Sequence, residues 1–246
     1  MRTIILAAGQ SMRLKPLTNT VPKTLLSLAG QPILAHIMDA VRKNNLFEFD
    51  IITGFGHDAV QQFAASYAQQ HPETSITLHY NDEYNTAGNV VSFHRAQDIF
   101  HHDVILINSD TIFHPDIIKH LLQSPHQNAM VIDDYKKLGE EEMKVLIDEN
   151  ETIYRIHKTV PPKEAHGEYV GILKFHRNTK DQLFDSVREM MAEDNSVYYE
   201  DGIQRMIDQH PIQVKRVSTH GLPVMEIDTH EDYATAQQLI HRITCQ

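Results

Sequence analysis

The stretch "IILAAGQSMRLKPLTNTVPKTLL", residues 4–26, runs an apolar strand into three small residues and then places Arg13, Lys15 and Lys23 on one loop. Ala7, Ala8 and Gly9 carry little or no side chain, so backbone N–H groups can approach an anion closely. Arg13 adds a planar fork suited to phosphate oxygens and Lys23 a mobile point charge. Pro16 and Pro22 stiffen the path between them, and Lys15 reads as a solvated loop charge. G-x-G-x-x-G is absent and no Gly-Lys-Ser/Thr follows, so this is neither a dinucleotide fingerprint nor a Walker A loop. Two carboxylates, Asp110 in "VILINSD" and Asp228 in "VMEIDT", close apolar strands that are remote in sequence. Either alone is ordinarily a cap or turn former. Meeting at one edge, they suit Mg²⁺ whose other ligands are phosphates and waters. Glu226, two residues before Asp228 and on the same strand face, is a candidate to support that site.

The charge distribution agrees with an anion-binding first segment. The 246-residue chain has a net charge of −11, yet residues 1–45 hold six Arg and Lys against one Asp, a local +5. A positive region in an acidic protein focuses small anions, whereas nucleic acid as a general partner needs a broad basic face. No apolar run is long enough to span a membrane, and no signal-peptide pattern opens the chain. The lone Cys245 excludes an internal disulfide framework and a cysteine cluster and fits a reducing cytoplasm. The 17 histidines form no ligand-spaced pair, so no histidine metal site is expected.

These residues need a scaffold, and the hydrophobic pattern supplies one. "TIILAA", "FDIIT", "ITLHY", "VILIN" and "AMVID" read as strands. A helix opened by Pro32 with Ile33, Ile37, Met38 and Val41 on one face, then "DAVQQFAASYAQQ", "NVVSFHRAQDIF" and "PDIIKHLLQ", read as the helices between them. The alternation predicts an α/β fold with a mainly parallel sheet covered on both faces. From Asp133 to Phe175 the rhythm breaks into "MKVLID", "TIYRIH" and "EYVGILKF", an antiparallel insertion. Helices near 179–191 and at "EDGIQRMIDQ", strands "IQVKRV" and "VMEI", and a helix from His230 complete one domain, residues 1–246, with a flap at about 134–175. Parallel sheets bind ligands at the carboxyl ends of their strands, where the loop after the first strand lies.

The segment "LAAGQSMRLKPLTNTVPKTLLSLAGQPIL" resembles the signature of the nucleotidyltransferase family that includes sugar-1-phosphate nucleotidylyltransferases and LicC-type phosphocholine and 2-aminoethylphosphonate cytidylyltransferases. Gly9, Arg13, Pro22, Lys23, Leu25, Gly30, Pro32 and Leu34 match it. Ser11 departs from the second glycine of many sugar-phosphate members. The resemblance implies a three-layer, GT-A-like (Rossmann-like) α/β/α fold. It implies nucleotide contacts at Leu6, Ala7, Ala8 and Gly9, charge stabilisation by Arg13 and Lys23, and Mg²⁺ on Asp110 and Asp228. "YNDEYNTAGNVVSF" is similar to the Asn-rich stretch of the cytidylyltransferases, which implies Asn81, Gly88 and Asn89 near the base; its bland reading is a helix N-terminus. Lys158 fits the lysine that meets the acceptor phosphoryl group, with the flap covering that site. Glu168, Glu200 and Asp201 are candidates for a cationic amine, although acids beginning a helix also serve its dipole.

The expected function is CMP transfer from CTP to a small phosphate or phosphonate monoester with release of pyrophosphate. The acceptor is phosphocholine-, phosphoethanolamine- or aminoethylphosphonate-like. With no Trp in the chain, Tyr135, Tyr169, Tyr198 and Tyr199 are the residues that could form an aromatic cage for choline. A sugar-1-phosphate nucleotidylyltransferase and a non-catalytic nucleotide-binding module are the alternatives. A homodimer is compatible with this reading.

Overall fold

Apolar side chains alternating with a period of two build both faces of one sheet. Along β1 (Arg2–Ala7), Ile5 and Ala7 face one core while Ile4 faces another. The computed structural model describes residues 1–244; Cys245 lies outside the described residues. After β1 come the hairpin β2 (Ser27–Leu28) and β3 (Gln31–Pro32), α1 (Ile33–Arg42), β4 (Glu48–Thr53), α2 (His57–Gln70), β5 (Ser75–Tyr80) and α3 (Asn89–His94). Then follow β6 (Val104–Asn108), β7 (Thr111–Phe113), α4 (Pro115–Gln123), β8 (Ala129–Asp133), β9 (Lys144–Ile147), β10 (Ile153–His157) and β11 (Gly167–Phe175). The chain continues through α5 (Lys180–Glu193), α6 (Tyr199–Gln209), β12 (Lys215–Ser218), β13 (Val224–Glu226) and α7 (His230–Thr244).

In the main sheet β5, β4, β1 and β6 run parallel side by side. β11 then lies antiparallel to both β6 and β8, and β12 is parallel to β8. Helices α1, α2, α4 and α7 cover one face, and α3, α5 and α6 cover the other. The result is the expected three-layer α/β/α architecture with a mixed, mainly parallel sheet and an antiparallel insertion. β9 and β10 form the hairpin of that insertion, and β9 pairs with the first residues of β11.

The strand order and one helix go beyond the pattern read from the sequence. β8 keeps the direction of β6 but does not adjoin it, because β11 is inserted between them. "NVVSFHRAQDIF" is also not one helix: α3 stops at His94 and a tighter 3-10 turn spans Gln97–His101. That turn sets Phe100 edge-on to Phe184 at 4.9 Å and to Phe93 at 5.8 Å, so aromatic burial outweighs continuation of the helix.

β11 reaches the site edge through a bulge at Gly171, whose φ is +74°. A Cβ there would lie 2.7–2.9 Å from side-chain atoms of Asn108 at the end of β6. Gly171→Ala combines a left-handed backbone with overpacking, so it is expected to lose roughly 2–4 kcal/mol of stability. Urea unfolding followed by circular dichroism measures this; a loss below about 0.5 kcal/mol would show that the bulge relaxes freely.

Candidate active site

The opening loop leaves β1 at the carboxyl edge of the parallel strands. The Ala8 carbonyl accepts from Phe55 N, while an added Cβ on Gly9 would meet nothing within 4 Å. Gly9 therefore faces open space, as an anion cradle requires. Pro22 then leads into a 3-10 turn over Lys23–Leu25 that fixes Lys23 inward, 8% exposed. A cleft of about 140 Å³ is lined by Leu6, Ala7, Ala8, Gly9, Lys23, Asn89 and Asp110, among others.

Asp110 and Asp228 converge because β7 and β13 pair antiparallel. Glu226 stands opposite Thr111, and Ile227 N donates to Asp110 O at 2.9 Å. The two carboxylates thereby flank one ammonium: Lys23 Nζ is 2.9 Å from Asp110 Oδ2 and 2.9 Å from Asp228 Oδ1. Arg13, largely exposed, donates to Asp228 Oδ2 at 2.7 Å. Burial opposes the charge on Lys23, yet the two acids hold it above its ordinary value. Asp228 is likewise pushed up by burial, but Lys23 and Arg13 prevail and keep it below the usual carboxylate range.

Among the described residues no group of three or more His, Cys, Asp or Glu side chains is spaced to hold a metal unaided. Asp110 and Asp228 still fit a divalent cation, since they already converge on a positive charge beside the anion cradle. Phosphate and water oxygens would complete the coordination of a hard ion there.

The base-side residues divide. Asn89 lines the cleft and accepts from Tyr199 N at 2.9 Å, tying α3 to α6. Gly88 lines an adjoining depression with Tyr84 and Ser196. Its N–H donates to Asn195 O at 2.7 Å, and a Cβ there would lie 2.3 Å from Val197 O, so Gly88 lets two loops close on each other. Asn81 requires correction. It is buried, its amide donates to Ser92 Oγ and its carbonyl accepts from Glu83 N, so it braces the loop rather than facing a base.

On the other flank lie Glu168, Glu200 and Glu226. Glu200, in the first turn of α6, is 5% exposed, and its Oε2 has no hydrogen-bond partner. Burial, with Asp201 and Asp110 adding to it, pushes its carboxyl up to about 7. Glu226 is raised well above the usual range by burial and by the charges of Asp110, Glu168 and Asp228. Glu168 is raised mainly by burial, with Lys136 opposing from 2.8 Å.

Asp201 fills the helix-capping alternative: its Oδ2 accepts from Tyr198 N at 3.1 Å. Lys158 stacks its ammonium 4.9 Å above the Tyr198 ring. The four tyrosines take separate roles. Tyr169 and Tyr199 are core residues with hydroxyls 3.0 Å apart, Tyr198 carries Lys158, and Tyr135 is exposed beside Gly221. Sequence reasoning missed Asn108, which accepts from Tyr199 OH at 3.1 Å and lines the cleft. Its signal was a polar residue ending the buried strand "VILIN". Lys136 was missed as well and had no sequence signal.

Lys23→Met leaves two carboxylates without the cation between them. The variant is expected to lose about 2–4 kcal/mol, the upper part of that range being reduced by the solvent access both acids retain. Urea unfolding at low salt measures the loss; an unchanged midpoint would remove the bridge from the account of stability.

Comparison with known proteins bears on the family and the fold. The MobA-like NTP transferase domain model matches residues 3–210. A CMP-5'-(3-aminopropyl)phosphonate synthase from Streptomyces rubellomurinus is 30% identical over 132 residues, 52% of this chain and 20% of that protein. A choline-phosphate cytidylyltransferase from Haemophilus influenzae is 32% identical over 117 residues, 48% of this chain and 47% of that protein. The matched stretches thus span a fifth and about half of these relatives. The structure of the inositol-1-phosphate CTP transferase from T. maritima superposes with a TM-score of 0.83 at 19% identity, covering 98% of this chain and 95% of that one, a likeness of fold. With the family model matching residues 3–210, most of its length, this chain belongs to the MobA-like NTP transferase family.

Proposed function

We propose that the chain is a nucleotidylyltransferase, CTP-dependent by preference, that transfers CMP to a phosphate or phosphonate oxygen of a small acceptor bearing a cationic amine. The observation that carries this reading is the Lys23 ammonium held between Asp110 and Asp228 beside the open face of Gly9. The acceptor oxygen is already anionic near neutral pH, so no general base is needed. Its bond to the α-phosphorus forms as the bond between that phosphorus and the bridging oxygen of pyrophosphate breaks. Catalysis then rests on in-line positioning and charge stabilisation. Arg13 and Lys23 neutralise charge on the departing pyrophosphate. Asp110 and Asp228 would hold Mg²⁺, which when bound supplies further neutralisation of the triphosphate.

Two relatives, the CMP-5'-(3-aminopropyl)phosphonate synthase and the choline-phosphate cytidylyltransferase, support CTP. Glu200 supports an amine on the acceptor. A buried carboxylate lacking a partner on one oxygen is costly unless a ligand supplies a counter-charge, and a sugar phosphate carries no such charge. Lys158, beside the start of α6, is suited to the acceptor's phosphoryl oxygens, with the flap residues 134–175 over that side of the site.

Pyrophosphate release tests this reading across the four NTPs with phosphocholine, phosphoethanolamine, aminoethylphosphonate and glucose 1-phosphate. CTP with an amine-bearing acceptor is the expected pair. Turnover with the sugar phosphate would replace it by a sugar nucleotidylyltransferase, and no turnover anywhere by a binding module. Asp110→Ala and Asp228→Ala are each expected to lower kcat at least about 10²-fold with the circular dichroism spectrum unchanged. Glu200 gives a pH signature. Its carboxyl is neutral below about 7 and anionic above, so KM for an amine acceptor should fall as pH rises through that value. Glu200→Gln should raise KM and flatten the profile; an unaltered profile would remove Glu200 from amine recognition.

A further inference from the structure

Lys136 joins the flap to the acid flank of the site. Its ammonium lies 2.8 Å from Glu168 Oε2 and 3.5 Å from Glu142 Oε1. The Lys136 side chain is 39% exposed, whereas that of Glu168 is 8% exposed. Behind it the flap is wound on a second lysine. Lys144, fully buried, donates to the carbonyls of Gly139, Glu140 and Glu142 at 3.3, 2.8 and 3.1 Å. Glu142 Oε2 also accepts from Gly139 N at 2.9 Å. The segment around Lys144 is therefore a fixed stalk, and Tyr135 to Lys137 form an exposed tip reaching back onto a buried acid.

A buried carboxylate demands a positive neighbour, and at Glu168 a primary ammonium of this chain provides it. Glu168 lies on β11 three residues before Gly171, whose backbone abuts the Asn108 side chain in the cleft lining, which sets this ion pair on the strand that reaches the reacting centre. The lysine of this pair is reached from solvent, so a ligand cation that takes its place against Glu168 can release it while keeping the carboxylate neutralised.

We propose that Lys136 is a tethered stand-in for the ammonium of the acceptor. It neutralises Glu168 while the pocket is empty and yields that carboxylate to the incoming cation, which makes it a specificity-determining residue. This rests on the amine-bearing acceptor argued above. The tether lowers the apparent acceptor affinity by the fraction of molecules it holds closed. A neutral acceptor cannot displace it, so the device selects for positive charge.

The test compares Lys136→Met and Lys136→Arg in the full chain, using phosphocholine, phosphoethanolamine and aminoethylphosphonate as acceptors. KM is expected to fall about two- to five-fold in Lys136→Met with kcat unchanged. It should rise above wild type in Lys136→Arg, whose fork grips a carboxylate more firmly. A rise in Lys136→Met would make Lys136 a permanent contact, and equal values for Lys and Arg would reduce it to a diffuse charge; either overturns the proposal. A second measurement needs no turnover. Hydrogen exchange over residues 134–143 is compared in ethylammonium chloride and sodium chloride at equal ionic strength. Faster exchange in ethylammonium is expected for wild type and no difference for Lys136→Met; equal exchange in wild type overturns the tether. Ethylammonium-sensitive exchange without turnover of any amine acceptor would support the tether and defeat the functional reading.

Discussion

One ammonium shared by two carboxylates is the constraint around which this site is built. Lys23 lies 87 residues from Asp110 and 205 from Asp228, and it gives up most of its water to sit 2.9 Å from each. A buried ammonium is tolerated only with compensation of this kind. The carboxylates in turn can approach each other only with a cation between them. The opening loop, the end of β6 and the strand β13 are therefore fixed relative to one another by electrostatics as well as by packing. Of the positive charges concentrated in the first 45 residues of this acidic chain, Arg13 and Lys23 both engage Asp228.

The acid flank follows the opposite logic. Glu168, Glu200 and Glu226 are each raised by burial and by neighbouring acids, and of the three Glu168 has a lysine at contact distance. Clusters of that kind oppose folding, and they persist where a ligand supplies the missing charge. The rest of the scaffold is rigid around them. Tyr169, Tyr199 and Asn108 form a hydroxyl–amide chain in the core, Asn89 ties α3 to α6, and Gly88 allows the neighbouring loops to meet backbone to backbone.

The sequence alone determined the class of fold, because alternating and helical hydrophobic periods are local properties that survive without knowledge of contacts. It also marked Arg13, Lys23, Asp110 and Asp228, since small residues after a strand and acids at strand ends carry their chemistry in type and spacing. Tertiary structure decided whether those acids meet. Their convergence depends on β7 pairing with β13, which no local pattern specifies. It likewise decided that Asn81 is a brace, that Asp201 caps a helix while Glu200 keeps one oxygen without a hydrogen-bond partner, and that Lys136 reaches Glu168. Those roles depend on burial and on distances between segments far apart in the chain, which residue type and spacing do not encode.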